Sequence, residues 1–431
     1  MRTMKYTISL LCLLLLAGGT PARGAVLTFE EAVKLALERN PGIAAARNDA
    51  AIAENNAHIG NAGLLPRIDF AGSAGYNSSD PPSGPELETS STSARLSASY
   101  TLFNGLGNIY SYKRLKSEET IGRLNARQQI ESVLIQVSSA YYGAAEAFEN
   151  LRVSRELLDI SRERLARVTS RTEFGQGGTV DVLAARVDFN TDTVTVVRSR
   201  FAWEEAMRNL NSLLNRDVDI EFEVDPGVEL TELRSLESMR ESALESNSSY
   251  RQATESVRLA DLGKKITRSS FMPRLDLSTS YGWEQYGDGD EFSLNDPTLG
   301  WGVQATLSLN LFNGFQRWTD ARNASIELRS RRLLEEQARL ELDRDLVNAY
   351  KSYRNSRTVL DLERKNLEAA RVNFERTSDL YDLGRVTSTQ FREAQLNLTR
   401  AETSVISATY QAKMDEIELM RITGNLVREV D

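Results

Sequence analysis

The chain has 431 residues, a formal net charge of −9, and only one cysteine and one histidine. An acidic chain is a poor match for sequence-independent nucleic-acid binding, and a disulfide framework is excluded. A catalytic triad or common zinc site lacks its parts. Aromatic residues make up 7% and prolines number nine, while long stretches rich in Ala, Glu, Arg and Leu suit extended helices better than thick cores.

In chain order, Arg2 and Lys5 precede an apolar run over 8–17 and small residues at Ala22 and Gly24. That is the layout of a secretory signal peptide over 1–24, too short in its apolar part to span a bilayer. Its removal takes away three cations and Cys12, leaving an exported chain free of cysteine with a charge of −12. A helix is expected over 28–63, with His58 as a polar surface residue. Next comes "LLPRIDFAGSAGY", residues 64–76, in which Ile68, Phe70, Ala74 and Tyr76 alternate with polar neighbours. This period of two predicts a strand over 66–77 and a partner over 94–103. A very long helix follows over 107–173, carrying Val137, Ala144, Leu151, Leu158 and Leu165 at steps of seven, the spacing of supercoiled packing. At 1.5 Å per residue it should reach roughly 100 Å. A tight turn leads into a helix over 178–214.

Residues 215–232 then join this first unit (25–214) to a second (233–424), followed by a tail over 425–431. The second unit repeats the first. Pro66-Arg67 returns as Pro273-Arg274 and Asn40 as Asn247, an offset of 207; "LFNG" from Leu102 returns from Leu311 and Gly175 returns as Gly384, an offset of 209. Its predicted elements are a helix over 233–270, strands over 273–284 and 300–312, a long helix over 316–383 and a helix over 388–424. The duplication makes the chain a doubled fold rather than a solenoid array. The acidic stretch 287–296 lacks the spacing and closing glutamate of a calcium loop and reads as a solvated loop.

About 9 to 11 tilted residues suffice to cross a bilayer as a strand, and Tyr76, Tyr100, Trp283 and Trp301 fall near strand ends, where an interfacial belt would place them. A soluble sheet is the plainer alternative. Four strands cannot close a barrel in lipid, because an open edge leaves unpaired backbone groups. Three chains would supply twelve.

The duplicated "LPRIDF" and "MPRLDL" corners, the paired "LFNG" turns, and the segments "FGQGGTVDVLAAR" and "YDLGRVTSTQFREAQ" resemble the TolC family of outer membrane efflux proteins over essentially the whole chain after the leader. The resemblance implies a mainly α fold with a β-barrel part. A homotrimer in the outer membrane would carry a shared twelve-stranded transmembrane barrel continuous with an α-helical tunnel through the periplasm. It further implies a passive duct, not an enzyme, without cofactor or nucleic acid, working with a periplasmic adaptor and an inner membrane transporter in efflux or type I secretion. Cargo selection would rest mainly with the transporter. A coiled-coil scaffold without a conducting role is the alternative that the heptads alone would allow.

The same resemblance singles out residues. Gly175, Gly177, Gly178, Gly384 and Arg385 lie at the two helix-turn-helix tips, where the family docks its adaptor; glycine there also ends a helix with positive φ. Asp181 and Tyr381 match positions that hold the entrance closed, with Arg385 replacing the basic residue expected at Val386; a helix-capping role for Asp181 stays open. Gln390 and Glu393 match the acidic constriction, so a trimer would carry one ring of three carboxylates. Pro66, Pro273, Gly105 and Gly314 mark the corners between tunnel and barrel, since proline cannot continue a helix.

Overall fold

The computed structural model describes residues 26–83, 87–175, 177–288 and 297–427. The expected leader with Cys12, most of the acidic stretch 287–296, Gln176 at the first tip and the last residues of the tail lie outside them. The fold is mostly helical. A short strand β1 (Val26–Leu27) precedes α1 (Phe29–Arg39) and α2 (Pro41–Asn56); strands β2 (Arg67–Ser79) and β3 (Leu87–Phe103) follow, then α3 (Gly107–Glu173) and α4 (Thr179–Leu213). The second half runs β4 (Glu223–Val224), α5 (Leu236–Ser246), α6 (Ser248–Ser269), β5 (Arg274–Asp288), β6 (Thr298–Ser308), α7 (Gln316–Asp382) and α8 (Ser388–Ile422).

The helices expected over 28–63 and 233–270 are each two helices, and the repeated asparagine divides them. Asn40 is extended (ψ 123°); its N–H ends α1 on Ala36, and its side-chain oxygen accepts from the N–H groups of Gly42 and Ile43, starting α2 at Pro41. Asn247 repeats the arrangement (ψ 121°), bonding back to Ala243 and capping Tyr250. Each asparagine also donates across the fold, to the Leu213 carbonyl at 2.8 Å and the Ile422 carbonyl at 3.0 Å. Each asparagine therefore serves three helix ends, closing one helix with its backbone N–H while its side chain starts a second and bonds the end of a third. The first helix also stops short, at Asn56. His58 lies beyond it, its Nδ1 accepting from the Gly60 N–H at 3.0 Å.

Four strands form one antiparallel sheet in the order β2-β3-β5-β6, with β2 and β6 as open edges. Strand β3 begins seven residues earlier than the pattern suggested, and β6 ends at Ser308, before "LFNG". Register places Phe70 opposite Leu96, Leu96 opposite Tyr281, and Tyr281 opposite Trp301. These four form an apolar row across one face; Asp69, Ser97, Ser280 and Gly302 form the next row, on the other. Among the described residues no helix covers the apolar row: Phe70 is 74% and Trp301 77% exposed.

Pro66 and Pro273 immediately precede β2 and β5. The return corners use two consecutive left-handed residues, Gly105-Leu106 (φ 68° and 67°) and Gly314-Phe315 (φ 66° and 64°), before α3 and α7 begin. The heptad residues Val137, Ala144, Leu151, Leu346, Tyr353 and Leu360 are buried at mid-helix. Leu158, Leu165, Leu367 and Phe374, nearer the tips, are half-buried. The central core gathers Phe29, Tyr141, Tyr142 and Tyr410, with neighbouring ring centroids 5.1 to 6.0 Å apart. The Tyr141 hydroxyl donates to the Leu27 and Asp225 carbonyls at 2.9 and 3.2 Å, so the linker carrying β4 is bound to the helices. Burial pushes the hydroxyls of Tyr141, Tyr142 and Tyr410 well above the usual phenol range, and that of Tyr353 up to about 12. Among the described residues no helix is long and apolar enough to cross a membrane.

Candidate functional site at the hairpin tips

Toward the tips, helix α3 packs against both α4 and α8, and α7 packs against α8. The lateral order α4-α3-α8-α7 makes two hairpins side by side, with turns at the same end. Gly175 (φ 75°) and Gly384 (φ 69°) end the long helices in the left-handed region that glycine adopts freely. A Cβ at either would meet nothing within 4 Å. Gly177 is more confined, since a Cβ there would approach Thr172 Oγ1 to 2.7 Å. Gly178 is the N-cap residue of α4 and offers no side chain.

Asp181 occupies the first turn of α4, where a carboxylate faces the positive helix end, but its side chain makes no capping bond. Tyr381 is buried, its ring 4.7 Å from that of Phe391 and 5.5 Å beneath the Arg171 guanidinium. Arg385 is exposed, and its backbone N–H closes the turn on Leu380 at 2.8 Å. No hydrogen bond or ion pair joins Asp181, Tyr381 and Arg385 to one another within the described chain. Asp181 belongs to one edge helix and Tyr381 to the other. Gln390 serves its own helix start: its side-chain oxygen accepts from the Thr387 N–H at 2.8 Å while Thr387 Oγ1 accepts from its N–H, a capping box. Glu393, one turn on, is exposed and carries no ion pair among the described residues.

Just inside the tips lies a polar cluster that no motif signalled. Arg392 on α8 grips Asp192 on α4 with two bonds, 2.7 and 2.8 Å. Ser161 on α3 donates to the same carboxylate, and Gln395 donates to the Leu157 carbonyl at 3.3 Å. One turn nearer the tip, Arg164 on α3 reaches Asp188 on α4 at 2.6 Å and Ser388 at the start of α8 at 2.7 Å. Arg167 pairs with Asp382 at the end of α7. The side chains of Arg392 and Asp192 are 12% and 3% exposed, so their pair is a buried, bidentate contact rather than a surface pair; Arg164 is also buried, at 4%. The contacts of Arg392 with Asp192, Arg164 with Ser388 and Arg167 with Asp382 fasten one hairpin to the other. Farther from the tip the Glu402 carboxyl is pushed above its usual range by burial and by Glu156, with Arg371 4.0 Å away acting in the opposite direction.

An open sheet with one bare apolar face, set on long paired helices, is the architecture of outer membrane channels. The chain superimposes on the Campylobacter jejuni CmeC outer membrane channel with a TM-score of 0.80, at 17% identity, over 92% of this chain and 86% of that one. The open-state Neisseria gonorrhoeae MtrE channel gives a TM-score of 0.76 at 19% identity, over 92% and 89%. In sequence, the chain is 25% identical to the alkaline protease secretion protein AprF of Pseudomonas aeruginosa over 303 residues, 68% of this chain and 62% of AprF. The outer membrane efflux protein model matches twice, over 32–216 and 239–425, once in each half of the duplication. The chain therefore belongs to the outer membrane efflux protein family, the TolC family, and is a protein of the outer membrane.

Proposed function

We propose that three copies of the chain close into one duct, a twelve-stranded barrel in the outer membrane continuous with a helical tunnel in the periplasm. It passes cargo from an inner membrane transporter, through a periplasmic adaptor, to the exterior. The observation that carries this reading is the sheet. Its apolar row of Phe70, Leu96, Tyr281 and Trp301 is bare, and its two edges are open; lipid accepts the first but not the second, so a second copy must supply the edges. The two repeats, 25–214 and 233–424, then each contribute two strands and one hairpin, with 215–232 as a belt at mid-height. AprF, named for protease secretion, and CmeC, an outer membrane channel, both support an export role. The duct does no chemistry of its own, and the transporter supplies the energy.

In this reading Gly175, Gly177, Gly178, Gly384 and Arg385 form the adaptor-facing rim, and Asp181, Tyr381 and Arg385 act between copies at the entrance. Detergent extraction followed by mass measurement should return a trimer that conducts in planar bilayers. A scaffold would instead leave the membrane without detergent and carry no current. Glu393 places three carboxylates at the narrow end, which favours cations. Glu393→Ala is expected to lower the cation preference of the isolated channel in a reversal-potential measurement, and unchanged selectivity would remove Glu393 from the constriction.

A further inference from the structure

The lateral order α4-α3-α8-α7 leaves α4 and α7 as edge helices, and each presents an unpartnered stripe. On α4, Val180, Leu183, Val187, Val194, Val197 and Phe201 are 49 to 77% exposed, at steps of three and four that are interrupted only by the exposed Asn190. A coiled-coil seam repeats in this way, here with one polar position. On α7 the same steps connect Leu362, Asn366, Ala369, Asn373, Arg376, Leu380 and Leu383, all exposed. Helix α4 leaves the tips and α7 approaches them, so the two seams are antiparallel.

We infer that α4 of one copy zips against α7 of the next in a single register, in which Asn190 meets Asn373. This rests on the trimeric reading above and specifies its interface. In that register Val180 faces Leu383, Leu183 faces Leu380, Phe201 faces Leu362, Val187 lies along the stem of Arg376, and Val197 faces Asn366. Flanking positions bring Arg186 to Asp379 and Arg198 to Glu363. Arg186, Arg198 and Asp379 make no ion pair or side-chain hydrogen bond among the described residues, and the Glu363 carboxylate has only a 3.4 Å contact from Asn366. The unfavourable neighbour, Lys365 beside Arg200, is softened because Arg200 is already held by Glu204 at 2.9 Å.

Sliding either helix by one heptad keeps the seam but loses this agreement. One slip sets Asn190 against Leu380 and Glu205 against Glu363. The other pairs Asn190 with Asn366 and sets Leu183 against Asn373, and it dissolves both charge pairs. Amide pairing excludes the first slip, which sets both Asn190 and Asn373 against apolar side chains. The second slip has, like the chosen register, one amide pair and one amide against an apolar side chain, so the two charge pairs separate them. The occupant of this face is therefore a second copy of the chain, selected by its polar positions.

No cysteine follows Cys12, so introduced pairs report cleanly. Asn190→Cys with Asn373→Cys, oxidised in the extracted full chain, is expected to shift most of the protein from monomer to covalent trimer on a non-reducing denaturing gel. Asn190→Cys with Leu380→Cys, or with Asn366→Cys, is expected to leave it monomeric. A trimer by mass in which a slipped pair cross-links as well, or in which no pair does, overturns the register while leaving the trimer standing. Unmodified chain that extracts as a monomer overturns the trimeric reading itself. Should the cysteines impair assembly, charge reversal decides: Arg186→Asp should lower the temperature at which the trimer dissociates, and adding Asp379→Arg should restore it. Absence of restoration overturns the pairing.

Discussion

Asp192→Ala is expected to destabilise the tip region by about 3–5 kcal/mol, the usual result of removing one partner from a buried ion pair. The Arg392 guanidinium would keep its burial but lose both of its short bonds, retaining Ser161 at 3.2 Å, Gln395 at 3.1 Å and a contact to Asp188 at 3.7 Å. Because Asp192 and Arg392 belong to different hairpins, the loss falls on the contact between them. Amide exchange should rise in the tip-proximal halves of α4 and α8, while the core around Tyr141 stays protected. In a bilayer, the same variant should raise resting conductance if the hairpins part at the entrance. Two controls sharpen the test. Arg152→Ala removes the surface pairs with Glu149 and Glu156 and should cost no more than about 1 kcal/mol. The double change Asp192→Leu with Arg392→Leu should recover much of the stability, since an apolar pair carries no desolvation penalty. An Asp192→Ala effect as small as that of Arg152→Ala would show that the cluster fastens nothing.

The second large effect is expected at the barrel-to-tunnel corners, where the two halves differ. Gly105→Ala meets two penalties. Its φ of 68° costs an L-residue about 1–2 kcal/mol, and the added Cβ would lie 2.7 Å from both Met272 Cβ and the Ser269 carbonyl, adding about 1–3 kcal/mol of overpacking. Gly314→Ala has the same backbone strain (φ 66°), but nothing stands within 4 Å of its Cβ. Thermal unfolding of the extracted protein should therefore rank Gly105→Ala well below Gly314→Ala. Equal losses would mean that backbone strain alone governs both corners and that the contact with the end of α6 yields freely. The asymmetry has a structural reason, because Gly105 lies against Ser269 and Met272 at the end of α6, whereas no described residue stands against Gly314.

Some of this was legible in local patterns. Alternation in "RIDFAGSAGY", heptads in α3 and α7, and prolines and glycines at fixed offsets each specify a conformation over a few residues, and the duplication repeats every signal. Asn40 and Asn247 carried a signal that a continuous apolar pattern hid: an asparagine followed by "PG" or "SS" can cap the next helix. The polar cluster was not legible. Ser161, Asp192 and Arg392 come from three helices, and nothing near any of them in sequence marks it as buried. For Gln390 the capping box explains the side chain locally, while Glu393 has no such local role.

What the sequence determined by itself is the repeating unit and its elements, because period, proline and glycine act through neighbouring backbone and need no distant partner. Which helices stand side by side only the tertiary structure decided. Burying the facing sides of four long helices set the order α4-α3-α8-α7, and that order placed Asp192 under Arg392 and left the Asn190 and Asn373 stripes bare at opposite edges.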